Sequence, residues 1–524
     1  MLILGIGGVL RSASAAVLRD GQILAAIEED KLNREHRSGE LPLASILECL
    51  RISAAAPAQV DYVAITRPVS PGGTQLQPQL RALFPAARMI VVDHHAAHAA
   101  AAYFASPFDS ASVLTLDRSG DFRCGARWRA SGNHLYLEQE LYYPDSLGDL
   151  YGRVTELLGF QSRADEHKVQ WLSTAGDARY RELFLEILGA GGTRGMRLDA
   201  SFFASDRVTQ GGFGSKFFSR LGLDDGSAIP PTLRESLAAG LQQAMEHAVL
   251  EFAGEGDAVC LGGGIAFNAL LVAALERSGR FKGVFVQPNG GNAGNALGAL
   301  YHAWNVVLGE SSRPSIGNFC LGPSFTAEEI KQVLENCKLR FRYLLTTDEL
   351  VEAAVSELSE NKIVAWMHGR MEFGPRALGN RSILASPLDP YSTENLNAYI
   401  KHREQFRKFA ASVPAEIANE YFEVGSNARF LATVSKVRPA HRATFQAALL
   451  GEDWIRVHAV SEEDNPLYWR LLHAAGKRTG LPVLYNTSFN LFGYPLVCSP
   501  RDAVRSFYSS GIDTMFVGGF LLQK

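Results

Sequence analysis

LILGIGG at residues 2–8 and SAAVLRDGQILAAIEED at 14–30 decide the fold class. The first reads as a short apolar strand, and the second as two strands joined at Asp20-Gly21, a dipeptide suited to a tight hairpin. Outward from it, DYVAIT (61–66), MIVVD (89–93), SVLTLD (112–117), AVCLGG (258–263) and GVFVQP (283–288) read as further strands. SLGDLYGRVTELLGF (146–160) and TLRESLAAGLQQAMEHAVLEFAG (232–254) carry apolar residues at helical three-and-four spacing. Alternating strands and helices predict an α/β protein, whose ligand sites lie at strand ends. Two related half-domains are compatible with the first 300 residues. Near 308–326 a Gly-, Pro- and Ser-rich run reads as a linker, with a second α/β unit beyond it.

A chain of 524 residues has room for two or three domains. A net charge of -4 provides no general basic field, so nucleic acid is not expected as a main partner. The six cysteines include no CxxC pair and read as reduced core residues. The N-terminus lacks a basic leader, and no apolar run approaches the ~20 residues of a membrane span. The expected place is the cytoplasm.

The strongest chemical signal is VAWMHGRMEFGPRALGNRSILASP at 364–387, an apolar strand entering a loop with Arg370, Arg376 and Arg381 and a helix-capping Asn380. Guanidinium forks pair bidentately with phosphate oxygens, which suits a phosphate-rich substrate. The alternative is an Arg-lined domain seam. YNTSFN at 485–490 follows the strand LPVLY and offers Asn486, Thr487, Ser488 and Asn490 to a phosphate or a sugar.

VDHHAAHAAAAYF (92–104) places His94 and His98 four apart on one helix face, with His95 pointing elsewhere. Asp117 could add a carboxylate from a neighbouring strand. Iron, zinc or manganese suits such a set, while the alternative is an alanine-rich helix whose histidines bond to carbonyls. In CLGGGIAFNALL (260–271), Gly263 and Gly264 either face an anionic ligand with backbone amides or permit close packing. QPNGGNAGNALGAL (287–300) brings Asn292 to a helix start, where it could reach a ligand or cap the helix. Trp366 and Trp454 read as core more readily than as adenine-stacking rings.

GRMEFGPRALGNRS, LNAYIKHREQFRKFAAS, TGLPVLYNTSFN, HHAAHAAAAYF and GGGIAFN, in this chain, resemble the ATP-dependent carbamoyltransferase family of nodulation and antibiotic-tailoring enzymes. The likeness implies a one-carbon group transferase in two parts. Residues 1–325 would be an actin-like (ASKHA) domain similar to the universal tRNA threonylcarbamoyl transferase, with a metal on His94, His98, Asp117 and Asn292. Lys168, Gly263, Gly264 and Asn268 would meet a nucleotide there. Residues 326–524 would form a YrdC-like α/β domain that condenses carbamoyl phosphate with ATP to carbamoyl adenylate, releasing pyrophosphate. In that domain Arg376, Arg381, Lys401 and Arg403 would be catalytic. Arg370, Asn380, Arg407, Asn486, Thr487, Ser488 and Asn490 would bind nucleotide and carbamoyl phosphate. The implied cofactors are ATP and a divalent metal (iron, or Mg, Mn or Zn); the implied partner is a small-molecule natural-product acceptor, with a homodimer open and no membrane.

The chain departs from the family pattern in the transfer site. The family's N-terminal loop carries a histidine base where this one reads GVLRSASAA, and neither Leu10 nor Arg11 takes a proton at neutral pH. Arg118 follows Asp117 where the family has glycine, and Asn292 stands where it has a metal-binding aspartate. A neutral amide holds divalent metals more weakly. Three readings stay open: carbamoyl transfer to an unusual hydroxyl or amine, adenylate chemistry with a different transfer or ring-forming outcome, or a degenerate nucleotide-binding partner protein.

Overall fold

β1 (Leu2–Gly7) is buried along its whole length and pairs antiparallel with β2 (Ser14–Arg19), which turns at Asp20-Gly21 into β3 (Gln22–Glu28). Both turn residues take positive φ, 47° and 82°, as a tight hairpin demands. β4 (Tyr62–Thr66) and β5 (Arg88–Val92) add in parallel on the far side of β1, giving the order β3-β2-β1-β4-β5. The computed structural model describes all residues except 36–38, 68–75, 190–195, 205–209, 315 and 492.

The same wiring then repeats. β6 (Ser110–Gly120), β7 (Arg123–Ser131) and β8 (His134–Tyr142) form an antiparallel meander, and β9 (Ala258–Gly262) and β10 (Gly283–Val286) join β6 in parallel. Two successive sheets of one topology make the first part an actin-like α/β fold, and the expected half-domains are real. Helices His94–Phe104 and Asn295–Tyr301 fill the space between the sheets and share one core with both. Their small residues allow this: a Cβ on Gly298 would lie 2.1 Å from the Ala97 carbonyl oxygen. The alanine run is therefore a packing surface that sets His94 and His98 at the inner ends of the strands.

The C-terminal part is α/β as well, built on one ten-stranded mixed sheet. Its centre runs Thr514–Val517, Val364–Met367, Arg381–Ala385, Leu484–Ser488, Ala410–Pro414 and Trp454–Val460. The arginine-bearing stretch 368–380 joins two neighbouring antiparallel strands of this sheet. It leaves the sheet to pack on the first part, where Met371 and Ala377 enter the core of β1–β4. The stretch read as a linker is partly woven into this seam. Leu321 accepts from the Ala26 amide of β3, and Phe319, Gly322 and Pro323 bond to residues 371–373. That cover protects the β3 edge. Among the described residues no helix is long and apolar enough to cross a membrane.

Candidate active site

Asp93 caps the helix His94–Phe104 by accepting from the His95 and Ala96 amides, which fixes the first turn and the two imidazoles. His94 Nε2 lies 3.1 Å and His98 Nε2 3.4 Å from Asp117 Oδ2. His95 turns away, to Thr115 Oγ1 at 2.9 Å and the Arg123 carbonyl at 3.2 Å. Burial opposes charge on Asp117, yet hydrogen bonds from both imidazoles hold its pKa well below the usual carboxylate range. Asn292 lies against His98, and its Oδ1 is buried without a hydrogen-bond partner. Asn295, which no motif singled out, sets Nδ2 3.2 Å from His98 Nε2 and also leaves Oδ1 unpaired. Two imidazoles, one ionised carboxylate and two orphaned amide oxygens fit a divalent cation, because a buried polar atom without a partner is costly.

A cavity of about 370 Å³ opens beside this cluster. Asp117, Gly264, Asn268 and Asn292 line it from strand ends of the second sheet. Arg11, Arg118, Arg163 and His167 add basic groups, and Arg376 reaches in from the C-terminal part. Lys168 is outside this wall: its ammonium bridges Asp165 (3.3 Å) and Glu404 (2.7 Å) across the seam. Gly263 serves packing rather than ligand contact. A Cβ there would sit 2.2 Å from the Leu116 carbonyl oxygen of β6.

The C-terminal arginines divide into two kinds. Arg381 lies in a strand, wholly buried, with its guanidinium on the carbonyls of His368 (2.7 Å), Gly369 (3.2 Å), Asn380 (3.0 Å) and Pro323 (3.2 Å). Arg370 donates to the carbonyls of Gly322 (3.0 Å), Leu24 (2.8 Å) and Leu321. Both are seam and loop framework, so the phosphate roles expected for them do not fit their geometry. Asn380 caps no helix: a strand follows it, and its amide holds the Arg370 carbonyl at 2.8 Å. Glu372, unremarked in the sequence, organises the loop by accepting from the amides of Leu378, Asn380 and Arg381 at 2.8–3.0 Å. Arg381→Ala should lower unfolding stability by about 3 kcal/mol, because it strands buried carbonyls. Urea titration checks this, and Arg381→Lys should not rescue, since an ammonium lacks the planar reach.

Arg376, Arg403, Arg407 and Arg456 are the second kind. Among the described residues the half-buried Arg376 guanidinium has no hydrogen-bond or ion-pair partner. Burial and then Arg407 bring its pKa down to about 10, and burial and Arg407 bring Arg403 to about 9. Arg456, on the strand Trp454–Val460, is held well below its ordinary value by burial and by Arg376 and Arg403. Sequence reading missed it; only the period-two pattern of WIRVHAV signals it. His167 falls to about 4 through burial and the nearby Arg407 and Arg376. Glu404, the acid beside Arg407 at 3.9 Å, is shared with Lys168. Like charges gathered with so little compensation suit a polyanion.

Lys401 belongs to neither kind. Its ammonium donates to the Ser488 carbonyl and to the Asn490 carbonyl (3.0 Å) and Oδ1 (2.7 Å), so its protons order the 488–490 loop and none remains for phosphate. The strand read as LPVLY extends to Leu484–Ser488, so Asn486 and Thr487 lie within the sheet, paired to Leu384 and Ile383. Asn486 fastens the loop by donating to the Ala377 carbonyl at 3.1 Å. Trp366 is core, as expected, whereas Trp454 is half-buried against the cations of Arg277 (3.9 Å) and Lys436 (5.2 Å).

Models of the carbamoyltransferase N-terminus and C-terminus match residues 80–301 and 355–524. The nodulation protein NolNO of Sinorhizobium fredii is 32% identical, over 98% of this chain and 79% of its own. The chain belongs to the carbamoyltransferase family. An uncharacterized protein of Synechocystis sp., sll1178, is also 32% identical, over 100% of this chain and 96% of its own. The 3'-hydroxymethylcephem-O-carbamoyltransferase of Amycolatopsis lactamdurans is 30% identical over 52% of this chain and 49% of its own. This carbamoyltransferase thus unites an actin-like part carrying the His–His–Asp cluster with an α/β part carrying a cluster of arginines, among them the unpartnered Arg376.

Proposed function

We infer that residues 326–524 form a YrdC-like domain that makes carbamoyl adenylate. Carbamoyl phosphate, water and ATP give carbamoyl adenylate, phosphate and pyrophosphate. Residues 1–325 then pass the carbamoyl group to a hydroxyl or amine of a small molecule. The observation that carries this reading is the unpartnered Arg376, reaching from the arginine cluster into the cavity of the His–His–Asp cluster. Four guanidiniums without enough carboxylates are poised for the triphosphate and for carbamoyl phosphate, and would hold both reactants in line as charge develops on the leaving pyrophosphate.

In the transfer half, Gly264 and Asn268 shape the nucleotide wall, and Arg376 keeps the adenylate phosphate from leaving the cavity. His94, His98 and Asp117, with Asn292 beside them, would hold a divalent cation that polarises the carbamoyl carbonyl as a Lewis acid. Asn486, Glu372 and Arg381 act at one remove by fixing the loop that bears Arg376. The acceptor X–H bond breaks as its heavy atom bonds to the carbamoyl carbon, and AMP departs with its phosphate.

Incubation with ATP, carbamoyl phosphate and a divalent metal, followed by mass spectrometry, should reveal carbamoyl adenylate and matching pyrophosphate. Absence of both under iron, magnesium, manganese and zinc alike sinks this reading and leaves a nucleotide-binding partner role.

A further inference from the structure

A second cavity, of about 430 Å³, lies between the two parts. Ser12, Phe267, Gly291 and Asn292 line both cavities, so the two adjoin at the asparagine that lies against His98. The other side of the second cavity comes from the C-terminal part, through Ser488, Asn490 and Tyr494. Glu28, at the end of β3, also lines it and is only 6% exposed. Three donors fix its Oε1: Lys31 Nζ at 2.9 Å, Asn289 Nδ2 at 3.1 Å and the Gly374 amide at 2.7 Å. Its Oε2 is buried with no partner. A carboxylate in a cavity wall, anchored through one oxygen with the other left unpaired, keeps an acceptor atom in reserve for a guest.

We propose that this second cavity is the acceptor pocket, that it takes an uncharged or cationic hydroxyl-rich molecule, and that Glu28 is its general base. The proposal rests on the carbamoyl adenylate reading above. The walls supply amides and hydroxyls from Ser12, Asn289, Asn292, Ser488 and Asn490, and charge from Glu28, Asp30 and Lys31. The unpartnered oxygen of the Glu28 carboxylate disfavours an anionic guest. In the step itself, the acceptor O–H proton passes to Glu28 Oε2, its oxygen bonds to the carbamoyl carbon, and the C–O bond to the adenylate phosphate breaks to release AMP.

His167 is the rival base, with an unpaired Nε2 in the first cavity. A proton arriving there would join Arg376 and Arg407, which already drive its pKa to about 4 with burial. At Glu28 the opposing cation, Lys31, is outweighed. Burial raises its pKa, Asp30 adds to that, and Lys31 works against it.

Glycerol serves as the probe, with carbamoylated glycerol read by mass spectrometry and pyrophosphate release followed in the same samples. The wild-type chain should carbamoylate glycerol, and should prefer it to glycerol 3-phosphate. Glu28→Gln should lower that product about 10²-fold with pyrophosphate release unchanged. Formate should restore product to Glu28→Ala, a response that a purely structural carboxylate would not show. Product from Glu28→Gln at the wild-type rate, no carbamoylated glycerol from the wild type, or preference for glycerol 3-phosphate overturns the proposal. Pyrophosphate absent from the wild type would instead strike the underlying reading.

Discussion

Arg376→Ala should slow carbamoyl adenylate formation about 10³-fold without lowering the melting temperature of the ligand-free protein. The reason lies in what this guanidinium touches. It donates to no carbonyl and pairs with no carboxylate among the described residues, so its removal strands nothing. Its neighbours are cations, and Arg407 and burial together have lowered its pKa to about 10, which still leaves it charged at neutral pH. Removing it relieves repulsion in the empty site and takes a bidentate phosphate partner from the filled one. Arg376→Lys should recover part of the rate, because charge returns without the planar fork. Pyrophosphate release under saturating ATP and carbamoyl phosphate measures the effect. A rate within threefold of wild type would show that the cluster does not handle the reacting phosphates.

Arg376, Arg370 and Arg381 also show where sequence reading succeeds and stops. All three stand in or next to one glycine-punctuated loop and look alike as letters. What separates them is the partner each finds: Arg370 and Arg381 donate to backbone carbonyls, several of which, at Leu24, Leu321, Gly322 and Pro323, are far off in the chain. No local pattern encodes a carbonyl. Lys168 and Lys401 were misread for the same reason, since Glu404 and Asn490 claim them from other elements. By contrast, the Asp20-Gly21 hairpin and the apolar strands were legible, because turn chemistry and hydrophobic runs are local. β7 and β8 escaped notice: polar and charged side chains fill their outer faces, so RCGARWRAS and HLYLEQELY lack a clean apolar run. The His94, His98 and Asp117 grouping was legible as well, for helix periodicity fixes two of its members and a strand end the third.

His98→Ala should do the reverse of Arg376→Ala, leaving adenylate formation intact while metal content falls and carbamoyl transfer drops at least 10³-fold. His98 is almost fully buried, on the helix wedged between the two sheets, and its Nε2 faces Asp117 and Asn295 rather than the arginines. Its loss would take away one of three strong candidate ligands, and a remaining set of one imidazole, one carboxylate and neutral amides binds divalent metals weakly. The hydrogen-bond partners of that imidazole, Asp117 and Asn295, both lie in the first part of the chain. Because an alanine here also leaves a small void, Asp117→Asn is the companion variant: it keeps shape and hydrogen bonding but gives up the charge that the cluster supplies. Elemental analysis of both purified variants, beside pyrophosphate release and carbamoylated product, separates the steps. If either variant lost pyrophosphate release together with transfer, the adenylate would have to be made where the metal sits, and the two halves would share one chemical centre.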